Sequence, residues 1–158
     1  MANSCQAVIV AVSPCKGSLE EFLKIVHGDY GDEKYIYRTY NVRATKTPRR
    51  ADCNHEGTPL YKVRVRCTVA WGASPWFAPK PDPTSPGEVT LPDLCRKLDM
   101  GLEVWAYEYG AGFEEHGRCG FTGENAMFDS MPWAGRRLTD GFPDFGEFNP
   151  EDDIYRGP

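Results

Sequence analysis

The sequence predicts an α+β fold in which two helices cover one face of an antiparallel sheet. Three observations carry this prediction. A continuous apolar run extends from Gln6 to Val12, a strict apolar–polar alternation extends from Tyr61 to Trp71, and two segments share the apolar spacing of an amphipathic helix. The chain has 158 residues, which is the length of one domain with a sizeable core.

The apolar run from Gln6 to Val12 is typical of a strand that is buried on both faces, so we place it at the centre of the sheet. A helix is expected to begin at Ser18, because Ser18 and Glu21 have the spacing of a capping box. Gly28 is its expected C-terminal stop. The apolar stripe of this helix consists of Leu19, Phe22, Leu23 and Val26.

The second predicted helix repeats this design. Thr90 and Asp93 occupy the capping positions, and Gly101 is the expected stop. Its apolar stripe consists of Leu91, Leu94, Cys95 and Leu98. The matching cap, stripe and stop predict two copies of a strand–helix–strand unit.

The remaining strands complete the two units. We predict strands from Tyr35 to Arg43, from Tyr61 to Trp71 and from Leu102 to Tyr109, with a polar, basic loop from Thr45 to Pro59. In the first of these, Ile36, Tyr40 and Val42 are expected on one face and Tyr35 and Tyr37 on the other. The resulting order β-α-β-β-α-β is the split βαβ, or ferredoxin-like, arrangement.

Two further segments follow the predicted repeat. Phe113 to Phe121 is expected to add a C-terminal hairpin strand, which places a ferredoxin-like domain in residues 1–128. Residues 129–158 combine frequent prolines with aromatic and acidic side chains, so we predict an acidic, aromatic-rich C-terminal extension.

The charge of the chain is divided between its halves. Residues 1–80 contain 12 Lys and Arg against 7 Asp and Glu, a net of +5, whereas residues 81–158 contain 6 against 16, a net of −10. Such a polar molecule can be steered toward a charged partner. We expect a cytoplasmic protein with reduced thiols, because no signal peptide or membrane span is evident and several of the six cysteines fall at apolar positions of predicted elements.

The stretch from Val65 to Phe121 resembles the YubB-like ferredoxin-like proteins of conjugative plasmids and bacteriophages. The resemblance rests on Thr68-Val-Ala-Trp-Gly-Ala-Ser-Pro-Trp76 and on Glu103-Val-Trp-Ala-Tyr-Glu-Tyr-Gly-Ala-Gly-Phe113. It implies a ferredoxin-like fold and an origin in a mobile element of a bacterial host. It implies no catalytic residue, since the family has no established one.

The sequence contains one candidate metal site and one candidate nucleophile. Cys53, His55, His116 and Cys119 are zinc-type ligands, but their spacing is not that of a known zinc finger. Cys119 near His116 is a candidate activated thiol, but no loop that would hold an oxyanion flanks it. We therefore predict a non-enzymatic protein with no metal and no cofactor.

A nucleic-acid surface is a further candidate. On the sheet face opposite the helices, cations for phosphates and aromatic rings for stacking would lie together. Tyr35 and Tyr37 are expected to contribute aromatic rings to this surface, and Arg49 and Arg50 of the basic loop extend it. The residues assigned to this surface are Arg49, Arg50, Lys62, Arg64, Arg66, Trp105 and Tyr107.

The acidic extension is the candidate that we favour. Carboxylates interleaved with aromatics can occupy a basic groove on a protein partner, with the rings as anchors. The assigned residues are Asp140, Asp144, Phe145, Glu147, Phe148 and Asp152. Our leading hypothesis is a phage or plasmid protein that inhibits a host defence complex, of the anti-CRISPR or anti-restriction type. The alternative is an RNA or single-stranded DNA binding module of a mobile element.

Overall fold

The structure, a computed structural model, describes residues 4–53, 57–77, 85–108, 113–120, 126–132 and 153–155. They form two α-helices, α1 (Lys16–Val26) and α2 (Leu91–Leu98), and short 3₁₀ turns at Gly31–Glu33 and Ser74–Trp76. The strands are β1 (Ser4–Ser13), β2 (Tyr35–Ile36), β3 (Thr39–Thr45), β4 (Arg49–Cys53), β5 (Pro59–Ala70), β6 (Glu88–Val89), β7 (Gly101–Glu108), β8 (Phe113–Cys119), β9 (Met127–Pro132) and β10 (Asp153–Tyr155).

The main sheet has the strand order β10-β3-β5-β1-β7-β8-β9, with β4 also paired to β5. All of its pairings are antiparallel, and β1 lies at the centre between β5 and β7. The predicted central position of the first strand is confirmed, because Ile9 of β1 lies opposite both Val65 of β5 and Val104 of β7. A separate two-stranded parallel sheet joins β2 to β6.

Both helices pack on one face of the main sheet. Phe22 of α1 and Leu94 of α2 belong to one buried cluster with Ile9, Val65 and Val104. The helix stripes cover the alternate residues of β1 and β5 that face the same way, as their period of two requires. The α+β class, with two helices and a mostly antiparallel sheet, is therefore confirmed, and the strand order is compatible with a ferredoxin-like arrangement.

The caps of α1 correct part of the prediction. The helix begins at Lys16 after Cys15, whose side chain makes no capping hydrogen bond, so the Ser18–Glu21 capping box does not form. The Ser13 hydroxyl instead accepts a hydrogen bond from the Cys15 N–H at 3.0 Å, which turns the chain out of β1. At the other end Gly28 has φ +78° and closes a Schellman motif, so the predicted stop is confirmed.

Thr90 caps α2 as predicted, because its hydroxyl accepts a hydrogen bond from the Asp93 N–H at 3.3 Å. The predicted stop at Gly101 is wrong. The helix ends at Leu98, and Asp99 takes the left-handed conformation with φ 52°. The Asp99 carbonyl then accepts a hydrogen bond from the Ser13 hydroxyl at 2.8 Å, which ties the end of α2 to the end of β1.

The predicted strand from Tyr35 to Arg43 is two separate strands. Arg38 and Asn41 have positive φ, so the alternation breaks, and Tyr40 is exposed although Ile36 and Val42 are buried. The predicted loop from Thr45 to Pro59 is also corrected. Part of it forms β4, which pairs with β5 and places Arg49 and Arg50 on a strand.

The main sheet continues beyond the predicted hairpin strand. Pairing with β7 brings in β8, and β9 then pairs with β8. Strand β10, from within the predicted extension, pairs with β3 at the opposite edge. No helix among the residues that the structure describes is both long and apolar enough to cross a lipid bilayer.

Candidate nucleic-acid interface

The side of the main sheet opposite α1 and α2, here called the helix-free face, carries a group of cations. Lys62, Arg64 and Arg66 alternate along β5 with residues of the helix-side core. Residues directly opposite in register share a face. Arg49 lies opposite Lys62, and Arg43 lies opposite Arg66, so β3, β4 and β5 together bring five cations to this face.

These five residues, Arg43, Arg49, Lys62, Arg64 and Arg66, are here called the basic strip. Neither β3 nor β5 contains an Asp or a Glu, so the residues along these two strands do not neutralise it. Arg43 and Arg49 are exposed, Lys62 and Arg66 are half-buried, and Arg64 is buried. Four of the five cations therefore have part of their side chain at the surface.

Thr45 fixes the strand that carries Arg43. Its hydroxyl accepts a hydrogen bond from the Arg64 N–H at 2.9 Å and lies 3.3 Å from the Arg64 carbonyl. The register of β3 on β5 shifts between Tyr40 and Arg43, and this side-chain contact follows directly after the shift. The arginine at position 43 is thereby set beside Arg66.

Aromatic side chains lie on the same face, on the other side of β1. Trp105 on β7 lies directly opposite His116 on β8, and the rings stack with centroids 3.7 Å apart at 7°. His116 Nε2 is also 3.8 Å from Glu103 Oε2. Trp105 is half-buried, and one face of its ring is covered by the imidazole.

Three aromatic predictions for this face are corrected. Tyr107 is 1% exposed and packs with Val8 and Val10, so its ring is closed to a base in this structure. Tyr35 belongs to the separate β2–β6 sheet. Tyr37 packs against the helix-side core, and its carbonyl accepts a hydrogen bond from Trp76 Nε1 at 2.9 Å.

The structure also removes Arg50 from the predicted surface and shows that Tyr40 is exposed. Arg50 lies opposite Tyr61, with its guanidinium 5.9 Å from the centre of that ring, on the side of β4 away from Arg49. Tyr40 lies opposite Thr68 and is 45% exposed. Its phenol ring was assigned to the core from the alternation alone, and Asn41, a residue type that tolerates positive φ, was the available signal for the break.

The structure separates the residues proposed for zinc or thiol chemistry. His116 and Cys119 lie three residues apart on β8, so their side chains point to opposite faces of the sheet. Cys119 is buried beside Cys95, and burial raises the pKa of its thiol. His55 and the side chain of Cys53 lie outside the described residues. Within the described residues, no group of three or more potential metal ligands occurs.

A buried carboxylate on β8, that of Glu115, contacts the loop after β5. Glu115 is 5% exposed, and its Oε1 accepts a hydrogen bond from the Ala73 N–H at 2.8 Å. The Cys5 thiol donates to the same oxygen at 3.9 Å. Burial raises the pKa of Glu115, and burial together with Glu115 raises the pKa of Cys5 to about 12.

The six residues predicted to bind a protein partner, from Asp140 to Asp152, lie outside the described residues. The sequence and the structure were also compared with known proteins. No family model matches the chain, and no curated protein and no solved structure is significantly similar to it. The resemblance to YubB-like proteins stays a prediction.

Proposed function

We propose that this chain is a non-enzymatic, ferredoxin-like module that binds single-stranded RNA or DNA on its helix-free face. The basic strip is the observation that carries the proposal. Support for the fold comes from the order β3-β5-β1-β7 with helices after β1 and before β7, which follows the split βαβ pattern.

The grid of cations suits a flexible polyanion. Neighbouring strands lie about 4.8 Å apart, and alternate residues along a strand lie about 6.8 Å apart. Arg43 and Arg66 are cross-strand neighbours, as are Arg49 and Lys62, so the two pairs can contact different phosphates of one strand. Single-strand binders combine such a phosphate track with aromatic rings for the bases.

The test measures how binding to a labelled 15-nucleotide oligothymidylate depends on salt. The plot of log K against log salt has a negative slope, and each single-strand phosphate contact contributes about 0.7 to its magnitude. The double variant R43Q/R66Q removes two such contacts and should therefore reduce the magnitude of the slope by about 1.4. K24Q, which removes an exposed cation from α1 on the other side of the sheet, is the matched control. An unchanged slope in the double variant, or no binding by the unaltered chain at low salt, contradicts the proposal.

A second proposal keeps the hypothesis of a phage or plasmid inhibitor of a host defence complex. Its support is the net charge of −10 in residues 81–158, which favours a basic groove on a protein over free nucleic acid. The test is inhibition of a purified defence nuclease by the full chain and by a variant lacking residues 139–158. Equal inhibition by both proteins would exclude the extension as the inhibitory surface.

A further inference from the structure

The end of β5 holds a tryptophan in a strained turn. The Gly72 N–H donates a hydrogen bond to the Ala70 carbonyl at 2.9 Å, and Trp71 between them has φ 71°. This is the rare and strained form of the γ-turn, whose central residue has φ near +75°. For a bulky side chain such a φ is an outlier. The indole of Trp71 is nevertheless 53% exposed, so burial does not offset the strain.

The residues after the turn keep it in place. A Cβ atom at Gly72 would lie 3.0 Å from Glu115 Oε1, so any larger residue would require the carboxylate to shift by a few tenths of an ångström. The same oxygen accepts the Ala73 N–H, and the Cys5 thiol lies 3.9 Å from the Trp71 carbonyl. The buried Glu115 and its close contact with Gly72 therefore hold the backbone conformation in which the Trp71 indole is exposed.

Arg38, an exposed cationic residue, lies close to this turn through a backbone contact. The Ala70 N–H donates a hydrogen bond to the Arg38 carbonyl at 3.2 Å. The backbone of Arg38 therefore lies next to Ala70, the residue that precedes Trp71. Arg38 is exposed, has φ 38°, and its guanidinium lies 5.5 Å from the centre of the Tyr37 ring. An exposed cation and an exposed indole near one turn suit a ligand that combines an anionic group with a flat ring.

We infer that Trp71 is a stacking platform for an unpaired nucleobase, with Arg38 facing the phosphate beside it. The inference rests on the proposed nucleic-acid function, because Trp71 ends the strand that carries Lys62, Arg64 and Arg66. Its Cα lies about 17 Å from that of Arg66 at the rise of a β-strand. An extended single strand is long enough to span this distance. Because Arg38 lies near the turn and the basic strip lies along the same strand, we expect a nucleic acid as the ligand and not a protein.

The experiment compares two labelled strands of 15 nucleotides. One is oligothymidylate, and the other has the same backbone with abasic sites throughout. W71A should weaken binding to oligothymidylate on the order of 10-fold, which is the usual effect of removing one stacking ring. Its affinity for the abasic strand should not change. M127A, which removes another exposed apolar side chain, is the matched control and should leave both affinities unchanged.

A second variant separates stacking from folding. W71G removes the ring but supplies a residue that adopts positive φ without strain, so it should lose the same affinity as W71A. Equal weakening for both strands, or no weakening for either, overturns the inference while leaving the basic strip intact. If the unaltered chain binds neither strand at low salt, the proposed function fails and the inference fails with it. If the slope of log K against log salt becomes shallower in R43Q/R66Q but is unchanged in W71A, both the proposed function and the stacking inference are supported.

Discussion

At the scale of single residues, three energetically unfavourable features lie around the turn after β5. Glu115 is a buried acid, Cys5 is a buried thiol that donates to it, and Trp71 is a bulky residue at positive φ. Buried carboxylates and strained backbone each lower the stability of a fold and persist where their surroundings hold them. These three residues meet at one end of the sheet, beside the exposed indole.

Replacing Glu115 with glutamine should change how stability depends on pH. Burial raises the folded-state pKa of Glu115 above its unfolded value, which is about 4.3. Its contribution is then complete below that unfolded value and is lost as the pH rises through the folded-state pKa. Because the glutamine amide oxygen can still accept the Ala73 N–H, E115Q should be at least as stable as the unaltered chain at pH 8.

Urea denaturation at pH 4 and at pH 8 measures this effect. The stability of E115Q relative to the unaltered chain should rise between the two pH values. E20Q, at an exposed position of α1, is the control for loss of a carboxylate and should show no such trend. A relative stability of E115Q that falls toward pH 8 would show that the ionised carboxylate stabilises the loop.

Trp71 offers a second prediction at this scale. A left-handed conformation costs an L-residue about 1–2 kcal/mol, and glycine avoids this cost. W71G should therefore be more stable than W71A by about 1 kcal/mol, although glycine normally destabilises a folded chain through its entropy. Chemical denaturation of the two variants measures the difference. Higher stability in W71A would mean that the turn is not strained.

At the scale of elements, the sequence predicted what hydrophobic periodicity controls. The strands β1, β5 and β7, both apolar stripes, the Thr90 cap and the Gly28 stop follow from patterns within a few residues. The failures lie where tertiary contacts decide the backbone. The turn at Arg38 and the left-handed Asp99 make hydrogen bonds to distant residues, which a local pattern does not contain. The start of α1 follows Ser13, whose hydroxyl bonds both the nearby Cys15 N–H and the distant Asp99 carbonyl.

The candidate site was predictable to a similar extent. Alternation along β5 correctly placed Lys62, Arg64 and Arg66 on the helix-free face, since one period fixes the face of a whole strand. Arg43 and Tyr40 could not be placed in the same way, because a register shift separates them. The sequence predicts Trp71 as the last residue of a strand, and nothing local to it reveals that Glu115, 44 positions later, lies against its turn.

The β2–β6 pair gives a prediction at the scale of elements. These two short strands are joined where the Tyr35 N–H donates to the Gly87 carbonyl at 3.0 Å. A Cβ atom at Gly87 would clash with the backbone carbonyl of Asp32, which cannot rotate away as a side chain can. G87A should therefore destabilise the chain by about 1–3 kcal/mol, the usual cost of overpacking.

Thermal denaturation of G87A, with G17A as the control, measures this cost. The nearest atom to a Cβ at Gly17 lies 3.9 Å away, so alanine fits there without a shift, and this substitution inside α1 should be neutral or stabilising. Equal stability of the two variants would show that the β2–β6 contact gives way at little cost.

At the scale of the whole molecule, the charge separation decides how a polyanion approaches. The basic strip draws its cations from residues 43–66, whereas the half of the chain from residue 81 onward has a net charge of −10. Long-range repulsion from the acidic half opposes the local attraction of the strip. The two proposals therefore make opposite predictions for the same change in the predicted C-terminal extension.

Reversing Asp140, Asp144, Glu147 and Asp152 to lysine moves the net charge of the chain from −5 to +3, because each reversal adds two charges. If the helix-free face binds single-stranded nucleic acid, this variant should associate faster with oligothymidylate at low salt, and the gain should shrink above about 0.15 M salt, where the Debye length is about 8 Å. If the extension instead occupies a basic groove on a defence complex, the variant should associate more slowly with that complex and lose inhibition. Stopped-flow measurement of both association rates over a range of salt concentrations distinguishes the two. A rate for oligothymidylate that the reversals leave unchanged at low salt would mean that the charged extension does not influence binding at the basic strip.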